Sequence, residues 1–132
     1  LYEMIHPFVH KANHDSGWNY EWNFSESCQF TKYQPGQFYG WHADGRTTEC
    51  FDMKWTLLVN LSDNEYEGGD LEIFEGGIQT IKEFRKPGNA VMFKSHMQHR
   101  VTPVEEGTRY AIAINLWDHI PVAAQEGSMN IE

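Results

Sequence analysis

From about residue 27 onward, apolar and polar positions alternate in short segments, each closed by Gly, Pro, Asn or Asp. Residues 27–33 put Cys28 and Phe30 on one face and Gln29, Thr31 and Tyr33 on the other, the period of two expected of a half-buried strand. Segments of the same kind follow at 37–44, 53–61, 69–74, 78–84, 90–93, 98–101 and 108–117, and the run at 53–61 is the longest. Pro35-Gly36, Ser62-Asp63-Asn64 and Lys86-Pro87-Gly88-Asn89 supply turns, Gly68-Gly69 reads as a bulge or tight turn, and Glu105-Glu106-Gly107 reads as a hairpin tip. About eight short strands with little helix predict a mainly β chain, a sandwich or barrel, and specifically an eight-stranded jelly roll.

The first residues differ. Residues 1–13 predict a short helix, which Pro7 disturbs unless it lies in the first turn, and Asp15-Ser16-Gly17 stops it. Residues 1–24 are therefore expected to be a helical or irregular segment supporting a core over about 25–120. No linker, repeat or low-complexity tract divides the chain, so residues 1–132 are expected to form one domain.

Composition narrows the partners. The formal charge is −9, from 10 Lys+Arg against 19 Asp+Glu. The basic residues are scattered singly, which argues against nucleic acid or an anionic membrane as partner. No apolar run reaches the ~18 residues of a membrane span. Two cysteines, Cys28 and Cys50, show no disulfide-framework spacing, so a reducing, cytoplasmic location is expected. Oligomeric state is not legible.

Candidate chemistry begins at His42-Ala43-Asp44. On a strand, residues two apart point the same way, so the imidazole and the carboxylate face one cavity. The same alternation points Tyr39 and Trp41 away. His99 is the candidate third ligand. Two histidines and a carboxylate leave coordination positions open and suit Fe(II), whereas a closed four-ligand site would suit structural zinc. Arg109 lies ten residues beyond His99. If the turn at 105–107 folds its strand back along that of His99, the two are roughly 10 Å apart at ~3.3 Å per residue. A five-carbon diacid spans that interval: 2-oxoglutarate, with its keto acid on the metal and its far carboxylate paired with Arg109. Ala111 and Ala113 share a face with Arg109 and leave a slot beside it. Tyr33 is a candidate hydrogen-bond donor to the same cosubstrate.

These residues form a recognisable set. Residues 33–45, with Tyr33, Pro35, Gly36, Tyr39, His42 and Asp44, resemble the metal-binding strand of the prolyl-hydroxylase-like Fe(II)/2-oxoglutarate-dependent dioxygenases. Residues 58–63 and 66–73 look like that family's central hairpin, and residues 87–95, 99–104 and 107–111 resemble its closing strands. The resemblance implies a double-stranded β-helix with N-terminal helical support. It also implies consumption of 2-oxoglutarate and O2 to give succinate and CO2 while an organic substrate is hydroxylated. The substrate it suggests is a peptidyl proline, with a free amino acid, another protein side chain or a small metabolite equally compatible, and L-ascorbate is implied as an accessory reductant. His96 competes as third ligand, but the His-Arg-Val-Thr-Pro-Val context and the spacing to Arg109 favour His99. The presence of Asp44 argues for hydroxylation over halogenation.

Other features read more plainly. His6, His10 and His14 would form a stripe on an uninterrupted helix, but Pro7 and Gly17 favour solvated side chains. Trp41, Trp55 and Trp117 read as core or cavity wall, and residues 45–52 as a polar loop that is a candidate lid. Two rival functions remain: a non-enzymatic metal-binding jelly roll, which has no use for Arg109, and a hydrolase in which the three ligands activate water.

Overall fold

A computed structural model describes residues 2–16, 24–25, 28–47 and 51–119. Among these, helix α1 (Tyr2–Asp15) precedes strands β1 (Phe24–Ser25), β2 (Gln29–Tyr33), β3 (Tyr39–His42), β4 (Phe51–Asn60), β5 (Glu67–Gly68), β6 (Leu71–Phe74) and β7 (Ile78–Thr80). A 3-10 turn (Lys82–Arg85) leads to β8 (Ala90–Lys94), β9 (His99–Val101), β10 (Val104–Glu106) and β11 (Arg109–His119). All eight expected segments contain a strand. The expected strand at 78–84 stops at Thr80, because the chain turns there to bury Phe84.

The strands form two main antiparallel sheets. The larger has the order β1-β11-β4-β8, with β2 also pairing β11, and the smaller has the order β3-β9-β6-β7. A two-stranded piece joins β10 to β5. The two sheets face each other as a mainly β jelly roll, as the alternation predicts.

β4 and β11 are the structural centre, and both are covered on two faces. Trp55, Leu57, Ile114 and Leu116 pack outward against Val9 of α1, with Ile5, Cys28, Val59 and Met92 around them. On the other face Ala111 packs with Leu71, Phe84 and Leu58. Covering both faces explains why 53–61 reads as a nearly continuous apolar run. The same packing explains α1. The helix runs through Pro7, although a proline inside a helix costs about 3 kcal/mol. Burial of Val9, Ile5 and Asn13 along one side of α1 offsets that cost. His10 and His14 are exposed on it as expected.

Two expectations about connections, and one about a side chain, are overturned. β9, β10 and β11 belong to three different sheets, so residues 105–107 do not close a hairpin that lays Arg109 along the ladder of His99. The chain crosses between sheets here, with Gly107 at φ +78°. Similarly, the chain leaves the larger sheet after β4 and passes through β5 of the two-stranded piece before β6 enters the smaller sheet, so β4 and β6 are not a hairpin pair. Trp41 is 39% exposed on the outer face of the smaller sheet, edge-on to Phe74 and under the Arg100 guanidinium, instead of in a core.

Asn60 locks the end of β4. Its side-chain amide donates to the Phe84 carbonyl (2.6 Å) and contacts the Tyr66 hydroxyl (3.2 Å), while its Oδ1 accepts from the Ser62 amide (2.9 Å). Asn60→Leu is expected to leave the Phe84 carbonyl and the Ser62 amide stranded, at about 1–3 kcal/mol for each. Urea unfolding of the two proteins measures the difference, and a loss below about 0.5 kcal/mol contradicts this account.

Candidate active site

The cleft between the sheets holds the expected residues. His42 ends β3 and His99 begins β9, directly paired across the ladder. Asp44 follows just beyond β3. Its amide and that of Gly45 both donate to the Ser95 carbonyl (2.9 and 2.8 Å). Ser95 is itself tied to β4, its amide to the Lys54 carbonyl (3.1 Å) and its hydroxyl to that of Met53 (2.7 Å). The backbone after β3 is thus anchored to the opposite sheet, and Asp44 is turned into the cleft.

The ligand atoms of His42, Asp44 and His99 lie within 4.8 Å of one another. Nε2 of His42 is 3.4 Å from Asp44 Oδ1, and Nε2 of His99 is 3.4 Å from Asp44 Oδ2. Each imidazole has its Nδ1 against a backbone carbonyl two residues earlier, His42 on Gly40 (2.7 Å) and His99 on Met97 (3.0 Å). These bonds place a proton on each Nδ1 and leave each Nε2 lone pair directed at the shared point. Burial, with the neighbouring His99, holds the His42 pKa below its usual value against the opposing pull of the Gly40 carbonyl and Asp44. Burial pushes the Asp44 carboxyl up, but the adjacent His99, the hydrogen bond from Thr56 and the nearby His42 bring it below its usual value. The cluster thus presents the Nε2 atoms of two imidazoles and an ionised carboxylate to one point. No fourth His, Cys, Asp or Glu joins this group among the described residues. His96, the rival ligand, is exposed and outside it. The histidines of α1 form no such group. The donor set fits a divalent metal with open coordination positions.

Arg109 approaches from the facing sheet. It is 2% exposed, in the same cleft as the three ligands. Its guanidinium lies 5.6 Å from the Tyr33 ring and 5.4 Å from the Phe84 ring. Its Nε has no hydrogen-bond partner, and no carboxylate of the described residues is within ion-pair distance. Asp70, the acid nearest in the sequence of the surrounding loop, is ion-paired with Arg85, which also donates to the Gly68 carbonyl (3.0 Å) and to that of Tyr66. Burial lowers the Arg109 pKa, opposed mainly by Tyr66 and Tyr33, yet a guanidinium remains a cation. Tyr33 is the cross-strand partner of Arg109. Burial raises its phenol pKa despite Arg109, so it stays protonated and able to donate.

Between these ends, Ala111, Ala113, Leu58, Val101 and Ile112 line a cavity of about 120 Å³. The slot that the two alanines predict is thus present, although its two ends come from different sheets. Sequence reasoning missed three contributors. The ladder of β3 shifts register between Tyr39 and His42, so Tyr39 faces the cleft with its ring 3.8 Å from that of His42. Strict alternation had turned it away, and a bulge is invisible to alternation. Thr56, embedded in an apolar run, bonds Asp44 Oδ2 at 2.8 Å. Gly69 leaves room for Arg109. Of the candidate lid, Thr47 bonds Asp52 (2.9 Å), and residues 48–50, including Cys50, lie outside the described residues.

Comparison with known proteins follows the same lines. A family model described as the 2OG-Fe(II) oxygenase superfamily matches residues 28–117. A PKHD-type hydroxylase of Synechococcus sp. (strain CC9605) is 40% identical over 96 residues, covering 71% of this chain and 42% of that protein. The chain therefore spans less than half the length of this relative. A viral collagen prolyl hydroxylase from Paramecium bursaria Chlorella virus-1, solved with 2OG, has a TM-score of 0.68 at 20% identity, over 87% of this chain and 70% of that one. That likeness concerns the fold. A Trichoplax adhaerens prolyl hydroxylase, solved with a hypoxia inducible factor peptide fragment, has a TM-score of 0.64 at 25% identity, over 76% and 47% of the two chains.

The room around Arg109 is testable. Gly69 has φ +59°, and a Cβ there would meet Arg109 Cδ and Val104 Cγ2 at 3.0 Å. Gly40 has open space around it. Gly69→Ala is expected to lower stability by about 1–3 kcal/mol, and Gly40→Ala by less than about 0.5 kcal/mol, in parallel denaturant titrations. Equal effects contradict the assignment.

Proposed function

The chain belongs to the 2OG-Fe(II) oxygenase superfamily, and on that premise we propose that it hydroxylates an organic substrate at the expense of 2-oxoglutarate and O2. The overall balance is one substrate C–H, one O2 and one 2-oxoglutarate converted to C–OH, succinate and CO2. In this reading His42, Asp44 and His99 hold Fe(II). When bound, the metal supplies a redox centre with positions open to cosubstrate and dioxygen.

The protein residues do the rest. Arg109 binds the far carboxylate of 2-oxoglutarate, with a bidentate guanidinium fork as the natural partner for it. The Tyr33 phenol donates to the same carboxylate. The small side chains of Ala111 and Ala113 accommodate the carbon chain, while Leu58, Val101 and Ile112 keep water from it. The single observation that carries the reading is Arg109: a cation 2% exposed, with its Nε unpartnered, in the cavity of the metal-ligand cluster. Neither a metal-binding module nor a hydrolase has a use for it.

The primary substrate is assigned to the mouth of the cavity. The three ligand residues, the alanine slot and Arg109 line one cavity, and in this reading 2-oxoglutarate occupies its depth. A peptidyl proline is the substrate that the neighbours' own names favour. Ascorbate is assigned the role of returning the metal to Fe(II) after unproductive turnover.

Anaerobic titration of the full chain with Fe(II) and then 2-oxoglutarate is expected to produce a visible charge-transfer band that requires both. His99→Ala abolishes it. Arg109→Ala retains metal binding but loses 2-oxoglutarate affinity by about 30-fold or more, the ~2 kcal/mol minimum for truncating one partner of a buried charge pair. Stoichiometric metal binding without a band in the unmodified chain overturns the reading.

A further inference from the structure

β4 is covered on both faces, and Thr56 places one hydroxyl in it, 1% exposed, between Trp55 and Leu57. A hydroxyl in such surroundings is unfavourable unless it is bonded. Its oxygen is 2.8 Å from Asp44 Oδ2 and 3.1 Å from the side-chain Oδ1 assigned to Asn115. Thr56 and Asn115 are cross-strand partners on β4 and β11, so backbone register holds the two side chains together.

One hydroxyl carries one proton and cannot serve two acceptors. The shorter distance suits O–H···O and the longer one suits N–H···O. Rotating the Asn115 amide by half a turn, an assignment that hydrogen bonding decides, puts Nδ2 toward Thr56 and satisfies both contacts.

We propose that Thr56 is a positioning residue for Asp44. The Asn115 amide donates to Thr56 Oγ, Thr56 donates to Asp44 Oδ2, and the chain fixes the orientation of the carboxylate. Terminal carboxylate torsions are otherwise broad. His42 faces Oδ1, whereas His99 and Thr56 both face Oδ2, so a neutral donor distinguishes the two oxygens without adding charge. Asn115 also lines the cavity, so the chain connects the cavity wall to the cluster. The inference rests on the reading of His42, Asp44 and His99 as metal ligands, and its consequence is tighter binding of a divalent ion.

The test uses the metal-free full chain and Mn(II) in calorimetry without 2-oxoglutarate, with thermal unfolding of the same metal-free proteins alongside. Thr56→Val, which keeps the shape, is expected to weaken Mn(II) binding by about 10–100-fold, the usual cost of losing a partner that orients a ligand. Thr56→Ser restores binding, and Asn115→Leu weakens it in the same direction. Unchanged Mn(II) affinity in Thr56→Val overturns the inference alone. So does a Thr56→Ser as weak as Thr56→Val, since packing would then be the cause. Should Thr56→Val fail to fold, Asn115→Leu decides: unchanged affinity overturns the chain. A wild-type protein that does not bind Mn(II) overturns the metal-site reading and this inference together.

Discussion

Burying a guanidinium costs several kcal/mol unless an anion and hydrogen bonds compensate, and Arg109 is buried with its Nε unmet. Much of the surrounding structure serves to hold the charge there. Tyr33 and Phe84 set their rings against it, a contact that favours a cation over an apolar side chain. Asp70 is engaged by Arg85 instead. Arg85 also bonds the backbone of residues 66 and 68, stiffening the turn in which Gly69, lacking a Cβ, leaves room for Arg109 Cδ. A cation kept from the nearby acid, in the cleft of His42, Asp44 and His99, is what the proposed anionic cosubstrate would meet.

That arrangement depends on two sheets rather than one. The smaller sheet contributes His42 and His99, while β11 of the larger contributes Arg109 and the alanine slot. Fixing their separation is a packing problem, solved by covering β4 and β11 on both faces. α1 buries one face and the facing sheet the other. Ser95 then ties the chain after β3 back to β4, so the position of Asp44 follows the core and not a free loop.

Alternation located the strands and three of the ligand-type residues because His42 and Asp44 sit two apart and His99 begins a strand of its own. The alanines beside Arg109 announced the slot. What stayed illegible depends on pairing between distant segments. Hairpin logic placed Arg109 beside His99 on one ladder, since a short turn ordinarily joins neighbours; the actual crossing puts them on opposite walls. Tyr39 was turned outward because period-two reasoning contains no bulges, and one register shift reverses that. Thr56 looked like one polar letter in an apolar run, and its meaning appears only once Asp44 arrives from twelve residues away. Pro7 was given too much weight because helix cost was counted without the tertiary burial of Val9.

The lining of the cleft bears on how far family membership reaches. In the proposed chemistry the groups lining its depth, Arg109, Ala111, Ala113 and the three ligand residues, are committed to the cosubstrate. Discrimination among organic substrates then falls to side chains at the rim. Tyr39 is 50% exposed there, next to His42, and Gln29 is exposed on the facing strand. Gln29 lies on β2 of the larger sheet, not on the strands that carry His42 and His99, so a change there leaves the proposed ligands' own strands untouched. A shared interior with a variable mouth is how one fold supports different substrates. On the proposed function, the depth of this cleft serves the shared reaction, and exposed lining positions such as Tyr39 and Gln29 are the ones left to differ with the substrate.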